Sequence, residues 1–170
     1  SCYGGPPVFI DGLDYDEGPT AGSSDDSLWM SDDAARTLFN VGLGGTIINQ
    51  YTIPNNRCNT GIAADGQYLW LAVQSGPDTA PHDIFRVAKS DPTVVLSSFN
   101  FSTTNPGPEG IALDLSTFAP EHCAVWSNQF GTDALLTAWE LEQGIKPECP
   151  IVASIDIKPG SYPNSINLSN

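Results

Sequence analysis

The sequence predicts an all-β chain made of about three four-stranded units. Three observations carry this. First, a frame that opens on Gly and closes on Asp recurs as Gly12-Leu13-Asp14-Tyr15-Asp16, Gly61-Ile62-Ala63-Ala64-Asp65 and Gly110-Ile111-Ala112-Leu113-Asp114, with successive glycines 49 residues apart. Second, each frame is followed by an apolar run around a tryptophan: Leu28-Trp29-Met30, Leu69-Trp70-Leu71 and Val125-Trp126. Third, alternating apolar runs follow each tryptophan at short intervals. A period of this size with four short strands per unit describes a β-propeller-type array.

The elements follow in order. The Gly-led frame is the first strand, where glycine lets backbones approach closely near a crowded axis. The tryptophan run is the second strand, its ring expected between adjacent sheets. Third strands are read at Thr37 to Val41, Asp83 to Val87 and Ala134 to Trp139. Fourth strands are read at Thr46 to Tyr51 and Val94 to Phe99. Gly66-Gln67 is a tight turn, and Gly44-Gly45 and Ser90-Asp91-Pro92 are hairpin turns. Ile151 to Ile157 alternates like a strand and is expected as the outer strand of the third unit or of a neighbouring copy. Without it, the Ala134 to Leu141 strand would present an unpaired edge.

Residues 1–149 are thus read as blades, with units starting near 12, 61 and 110, and residues 150–170 as a C-terminal strand and tail. Propellers close with four to eight blades, so three leave the ring incomplete. Val8-Phe9-Ile10 reads as the last strand of a preceding blade. The expectation is a fragment of a larger propeller, or an open array completed by a second copy or by neighbouring chains. The chain opens on Ser1 without an initiator Met or a signal peptide, which fits a removed leader or a piece of a longer protein.

The pattern Gly-Ile-Ala-x-Asp…Leu-Trp-Leu-Ala…Ile-Phe-Arg-Val over residues 8–141 resembles the blades of NHL-type and gluconolactonase-like β-propellers. The resemblance implies the propeller fold; such propellers include lactonases, lyases, scaffolds and ligand sensors. In gluconolactonase-like enzymes, carboxylate and amide side chains from several blades hold a metal in the central channel. Asp32, Gln74 and Asn128 stand at comparable places after the second strands. Ser154 to Asn167 resembles the IDIKPGS-x-PNSIN motif of secreted bacterial and archaeal proteins, which implies export and names no chemistry.

Six basic against 20 acidic residues give a net charge of −14. That field repels phosphate backbones and excludes nucleic-acid binding. There is no basic amphipathic segment for an anionic membrane and no apolar run of spanning length. Cys2, Cys58, Cys123 and Cys149 contain no Cys-x-x-Cys pair, so a zinc site is not indicated. An even count in an acidic, loop-rich chain indicates disulfides in an oxidising, extracellular compartment. Three pairings are open to four cysteines. Cys123–Cys149 is the expected pair, because the strands they adjoin start at the same end of the third sheet.

Asp11, Asp14, Asp16 and Glu17 form the densest acidic cluster, and Asp32 follows the second strand. Hard oxygen ligands at short spacing suit calcium, although the frame is not an EF-hand. The competing reading is turn carboxylates hydrogen-bonding nearby backbone. Asp14 and Asp16 should share one strand face, with Tyr15 on the other. No nucleophile elbow or phosphate loop is present, and His82 and His122 are read as a loop and a strand-entry residue. The tryptophan rings could stack on carbohydrate, but their apolar settings favour core. These features indicate a secreted, non-catalytic structural or binding module, part of an extracellular assembly with other chains or copies of itself. The alternative is a calcium-dependent, lactonase-like hydrolase.

Overall fold

The structure is a computed structural model and describes residues 2, 10–18, 20, 25–76, 79–102, 107–115, 117, 123–129, 135–141 and 164–167. These residues form three antiparallel sheets of four strands each. Blade 1 holds β1 (Ile10–Asp16), β2 (Ser27–Asp32), β3 (Thr37–Gly42) and β4 (Ile47–Thr52). Blade 2 holds β5 (Cys58–Asp65), β6 (Tyr68–Gly76), β7 (Thr79–Ala88) and β8 (Asp91–Ser102). Blade 3 holds β9 (Pro108–Asp114), β10 (Ala124–Gln129), β11 (Leu135–Glu140) and β12 (Asn164–Asn167). The first strands stack, β1 on β5 and β5 on β9. The described residues thus form an all-β array of three four-stranded propeller-type blades that is incomplete as a closed ring, as the repeat predicts.

The repeat has a mechanical explanation. In every blade the tryptophan stands opposite the residue two positions after the frame glycine: Trp29 opposite Asp14, Trp70 opposite Ala63, Trp126 opposite Ala112. In every blade its indole Nε1 donates to the aspartate that closes the frame. The distances are 2.9 Å from Trp29 to Asp16, 3.2 Å from Trp70 to Asp65 and 3.2 Å from Trp126 to Asp114. Trp29 and Trp70 are 3% and 1% exposed, so the ring gains burial while its one polar atom keeps a charged acceptor.

The glycines act between blades. A Cβ on Gly61 would lie 2.5 Å from the Glu109 carbonyl oxygen and 3.1 Å from Gly110 Cα. A Cβ on Gly12 would lie 2.9 Å from Ile62 N. Only hydrogen fits where successive inner strands touch.

Two apolar layers result. Trp29, Leu38, Ile62, Leu69, Leu71, Phe85 and Val87 fill the space between blades 1 and 2, with Ile53 from the connection. Ala63, Trp70, Ala72, Ile84, Phe101, Val125 and Leu141 fill the space between blades 2 and 3, joined by Trp139 packed on Phe99 and Phe101. The connection from β4 to β5 turns through Asn55 and Asn56, both at φ 55°, where asparagine tolerates the left-handed region. Gly45 at φ 85° makes the β3–β4 turn, and the β7–β8 turn falls at Lys89-Ser90, one residue before its expected place.

Two strand expectations are corrected. The partner of β11 is Asn164–Asn167, Leu135 facing Asn167 and Ala138 facing Asn164, where Ile151 to Ile157 was expected. The expectation followed the shortest connection and the more apolar run. A sheet edge accepts any segment whose backbone aligns, so apolar alternation does not select the partner. Residues 151–157 lie outside the described residues, as do Val8 and Phe9, while Ile10 opens β1. His82, read as a loop residue, lies within β7 between Gln74 and Ser102 and is fully buried.

Asp65→Ala leaves the Trp70 indole N–H buried without its acceptor. It should lower the unfolding free energy in urea by about 1–3 kcal/mol. Asp65→Asn keeps an acceptor oxygen and should lose clearly less. Equal losses would assign the aspartate another role.

Candidate functional site

The position before each frame glycine holds Asp11, Thr60 and Glu109 in blades 1, 2 and 3. The first strands therefore start at one end of the array with two carboxylates and a hydroxyl. Thr60 Oγ1 donates to the Pro108 carbonyl at 2.5 Å, tying blade 2 to blade 3 there. The turn after β2 reaches the same end. Asp32 Oδ1 accepts the Ala35 N–H at 3.0 Å, and Arg36 takes φ 56°. This folds Asp33 inward beneath the Cys2–Cys58 disulfide.

Asp33 is 0% exposed, and neither carboxylate oxygen has a hydrogen-bond partner. A carboxylate oxygen of Asp33 and both sulfurs lie within 4.8 Å of one another, but the sulfurs are bonded together and are not thiolate ligands. Arg36 Nε donates to Cys2 Sγ at 3.1 Å. Burial pushes the Asp33 carboxyl up to about 7. The charges of Asp11, Glu109 and Asp32 push the same way, and Arg36 opposes them. Desolvation also raises Asp11. The bridge closes a separation of 56 residues, a constraint worth about 4 kcal/mol in the chain-entropy account.

The five expected calcium ligands divide. Asp11 and Asp32 belong to this end. Asp14 and Asp16 share a face of β1, as alternation predicts, and that face packs on blade 2. Asp14 Oδ2 accepts the Ala64 N–H at 2.6 Å, and Asp16 takes the Trp29 indole and Lys89 Nζ, the latter at 2.5 Å. Glu17 is exposed beyond the strand. No three of the five bring oxygens within 4.8 Å of one another. Tyr15, on the other face, donates its hydroxyl to Asp26 at 2.6 Å, which raises its pKa to about 12.

Gln74 is buried opposite Cys58 and His82, and Asn128 Oδ1 accepts the Gly110 N–H at 2.8 Å. Cys2 pairs with Cys58, and Cys123 is also held in a disulfide; Cys149 and His122 lie outside the described residues. Asp33 and Glu109 were missed from sequence. Glu109 was legible from its place before a frame glycine, as Asp11 is. Asp33 had no signal, because its burial depends on a disulfide partner far along the chain.

No family model and no curated protein matches the chain. Among solved structures, virginiamycin B lyase from Staphylococcus aureus is similar at 18% identity and a TM-score of 0.44, over 86% of this chain and 45% of that one. The chain thus spans under half the length of that protein.

Asp33 makes stability depend on pH with a defined sign. Its folded pKa, about 7, lies above the ordinary carboxyl value of 3.8. Folding therefore favours the protonated acid. Its contribution is fully present below pH ~4 and is lost as pH rises towards 7. Asp33→Asn should flatten the fall in melting temperature between pH 4 and 7 and raise the melting temperature at pH 7.5. Unchanged curves would show that Asp33 does not titrate in this range.

Proposed function

We propose that the chain is a secreted, non-catalytic structural and binding module of an extracellular assembly. The observation that carries this reading is the outer face of blade 1. Leu13 is 58% exposed and Tyr15 49%, with Leu28, Met30, Phe39 and Val41 half-buried beside them. A contiguous apolar sheet face of this kind marks an interaction surface. The Cys2–Cys58 disulfide supports the extracellular setting. No helix among the described residues is long and apolar enough to cross a membrane. The engagement of Asp14 and Asp16 in blade packing supports a structural use of the carboxylates.

A second reading, a calcium-dependent lactonase-like hydrolase, is favoured by Asp33. Asp33 is a buried carboxylate with both oxygens unpartnered, and the charges of Asp11, Glu109 and Asp32 act on it, although no three of these four bring oxygens within 4.8 Å of one another. In this reading Asp33 would be the protein's ligand to the ion, and the ion would supply charge stabilisation to a reacting oxygen. Assays of lactones and phosphoesters with and without chelator separate the two. The module reading expects no turnover above background in either condition, and chelator-sensitive turnover would replace it with the second. Fractionation of expressing cells should place the protein in the medium; retention inside reducing cytosol would count against the extracellular setting.

A further inference from the structure

The turn between β2 and β3 aims a buried carboxylate at a pair of sulfurs. Asp32 Oδ1 holds the Ala35 N–H on one side of the turn. On the other side the Arg36 carbonyl accepts the N–H of buried Ile53 at 2.9 Å. Asp33 is thereby fixed inward. One of its carboxylate oxygens and the sulfurs of Cys2 and Cys58 lie within 4.8 Å of one another. Asp33 and Cys58 are 0% exposed and Cys2 2%.

The carboxylate supplies a second observation. Among the described residues, nothing donates to either Asp33 oxygen. A bridged sulfur has no hydrogen to offer, so the disulfide beside Asp33 does nothing for it. Two cysteine thiols in the same place would. They carry protons to donate, and as thiolates they form with the carboxylate a donor set of two sulfurs and one oxygen.

We propose that Cys2, Cys58 and Asp33 hold one zinc ion when the Cys2–Cys58 bridge is reduced. This goes beyond the module reading and does not depend on it. Thiolate ligands select zinc over calcium or magnesium. Donors on one tetrahedral zinc stand about 3.5–3.8 Å apart, from bonds of about 2.3 Å to sulfur and about 2.0–2.2 Å to oxygen. The Cα atoms of Cys2 and Cys58 are 5.7 Å apart, so side-chain rotation brings the freed sulfurs to that spacing. Three protein ligands leave one position for solvent. The ligand charges exceed that of the ion by one unit, and Arg36 offsets it, its Nε donating to Cys2 Sγ at 3.1 Å.

The chemistry balances with a thiol reductant. Two of its molecules join as a disulfide and give up two electrons and two protons. The Cys2–Cys58 bond breaks and each sulfur takes one proton. Zinc then displaces both protons to solvent. A disulfide oxidant reverses the exchange: it takes two electrons from the thiolates, the bridge re-forms and the ion is released. The cluster is thus a zinc site gated by redox state. Its spacing differs from a Cys-x-x-Cys pattern because the donors come from positions 2, 33 and 58.

Zinc uptake by the full chain carrying Cys123→Ser and Cys149→Ser tests the site, since Cys2 and Cys58 are then its only cysteines. A phosphine opens the bridge, water giving its oxygen to the phosphine oxide and its protons to the thiols. After the phosphine is removed without air, the reduced protein should take up one equivalent of Zn2+, and the oxidised protein none. Co2+ should show thiolate-to-metal absorption, and excess Ca2+ should not displace zinc. Asp33→Asn should bind zinc at least about tenfold more weakly, the scale on which even supporting residues of metal sites act. In an unfolded dithiol chain, residue 33 would make no difference. If reduction unfolds the protein, zinc should restore the circular dichroism of the oxidised form, and should fail to do so in Asp33→Asn. Should the double variant not fold, the same Asp33→Asn comparison in the four-cysteine chain gives the same readout. Absence of zinc uptake by the reduced chain, or equal affinity with and without Asp33, would overturn the proposal.

Discussion

The hydrogen bond from each tryptophan indole to the aspartate that closes the same blade's first strand sets the conditions for the rest of the structure. A tryptophan between two sheets contributes more apolar area than any other side chain, and its N–H must find an acceptor there. Placing that acceptor on the first strand ties the tryptophan to one register of the second strand. The same register then holds in all three blades, although the loops between the two strands differ widely in length. Glycine at the opposite end of the frame lets the next blade's inner strand come close enough to cover the ring.

This arrangement explains how acidic residues are distributed. With only six basic residues, the chain commits its described cations to specific contacts. Lys89 joins blade 2 to Asp16 of blade 1, and Arg57 pairs with Asp83 at 2.9 Å. Arg86 lies 3.7 Å over the Tyr68 ring, and Arg36 reaches the disulfide. Among the other described acidic groups, Asp14, Asp26 and Asp65 accept hydrogen bonds from the Ala64 N–H, the Tyr15 hydroxyl and the Trp70 indole. Asp33 differs, since it is buried without a hydrogen-bond donor. Such a group is held in place by the surrounding fold rather than contributing to it.

An array of stacked sheets always ends on two faces that its interior pattern designed for burial. In this chain the two ends are chemically different, one carrying leucine and phenylalanine, the other tryptophan and alanine. Difference between the ends follows from directionality of the stack: every blade presents one kind of face forward and the other backward. Leu13 on the outer face of blade 1 is exposed, and Trp126 on the outer face of blade 3 is half-buried.

The sequence by itself determined the blade. A spacing of 49 residues, the glycine and aspartate of the frame and the apolar runs are local, and local periodicity reports which residues share a sheet face. It also placed Asp14 and Asp16 together and Tyr15 opposite. Tertiary structure decided what those faces meet. The carboxylates that read as a calcium cluster are separated because blade 2 supplies an amide and an ammonium to two of them. Asn164–Asn167 completes blade 3 through a backbone edge that carries no sequence code. His82 is buried by register with its neighbours, and Asp33 is buried by a disulfide to a residue 56 positions from its partner. Contacts between elements distant in the chain arise from packing geometry, and no local pattern of residues encodes them.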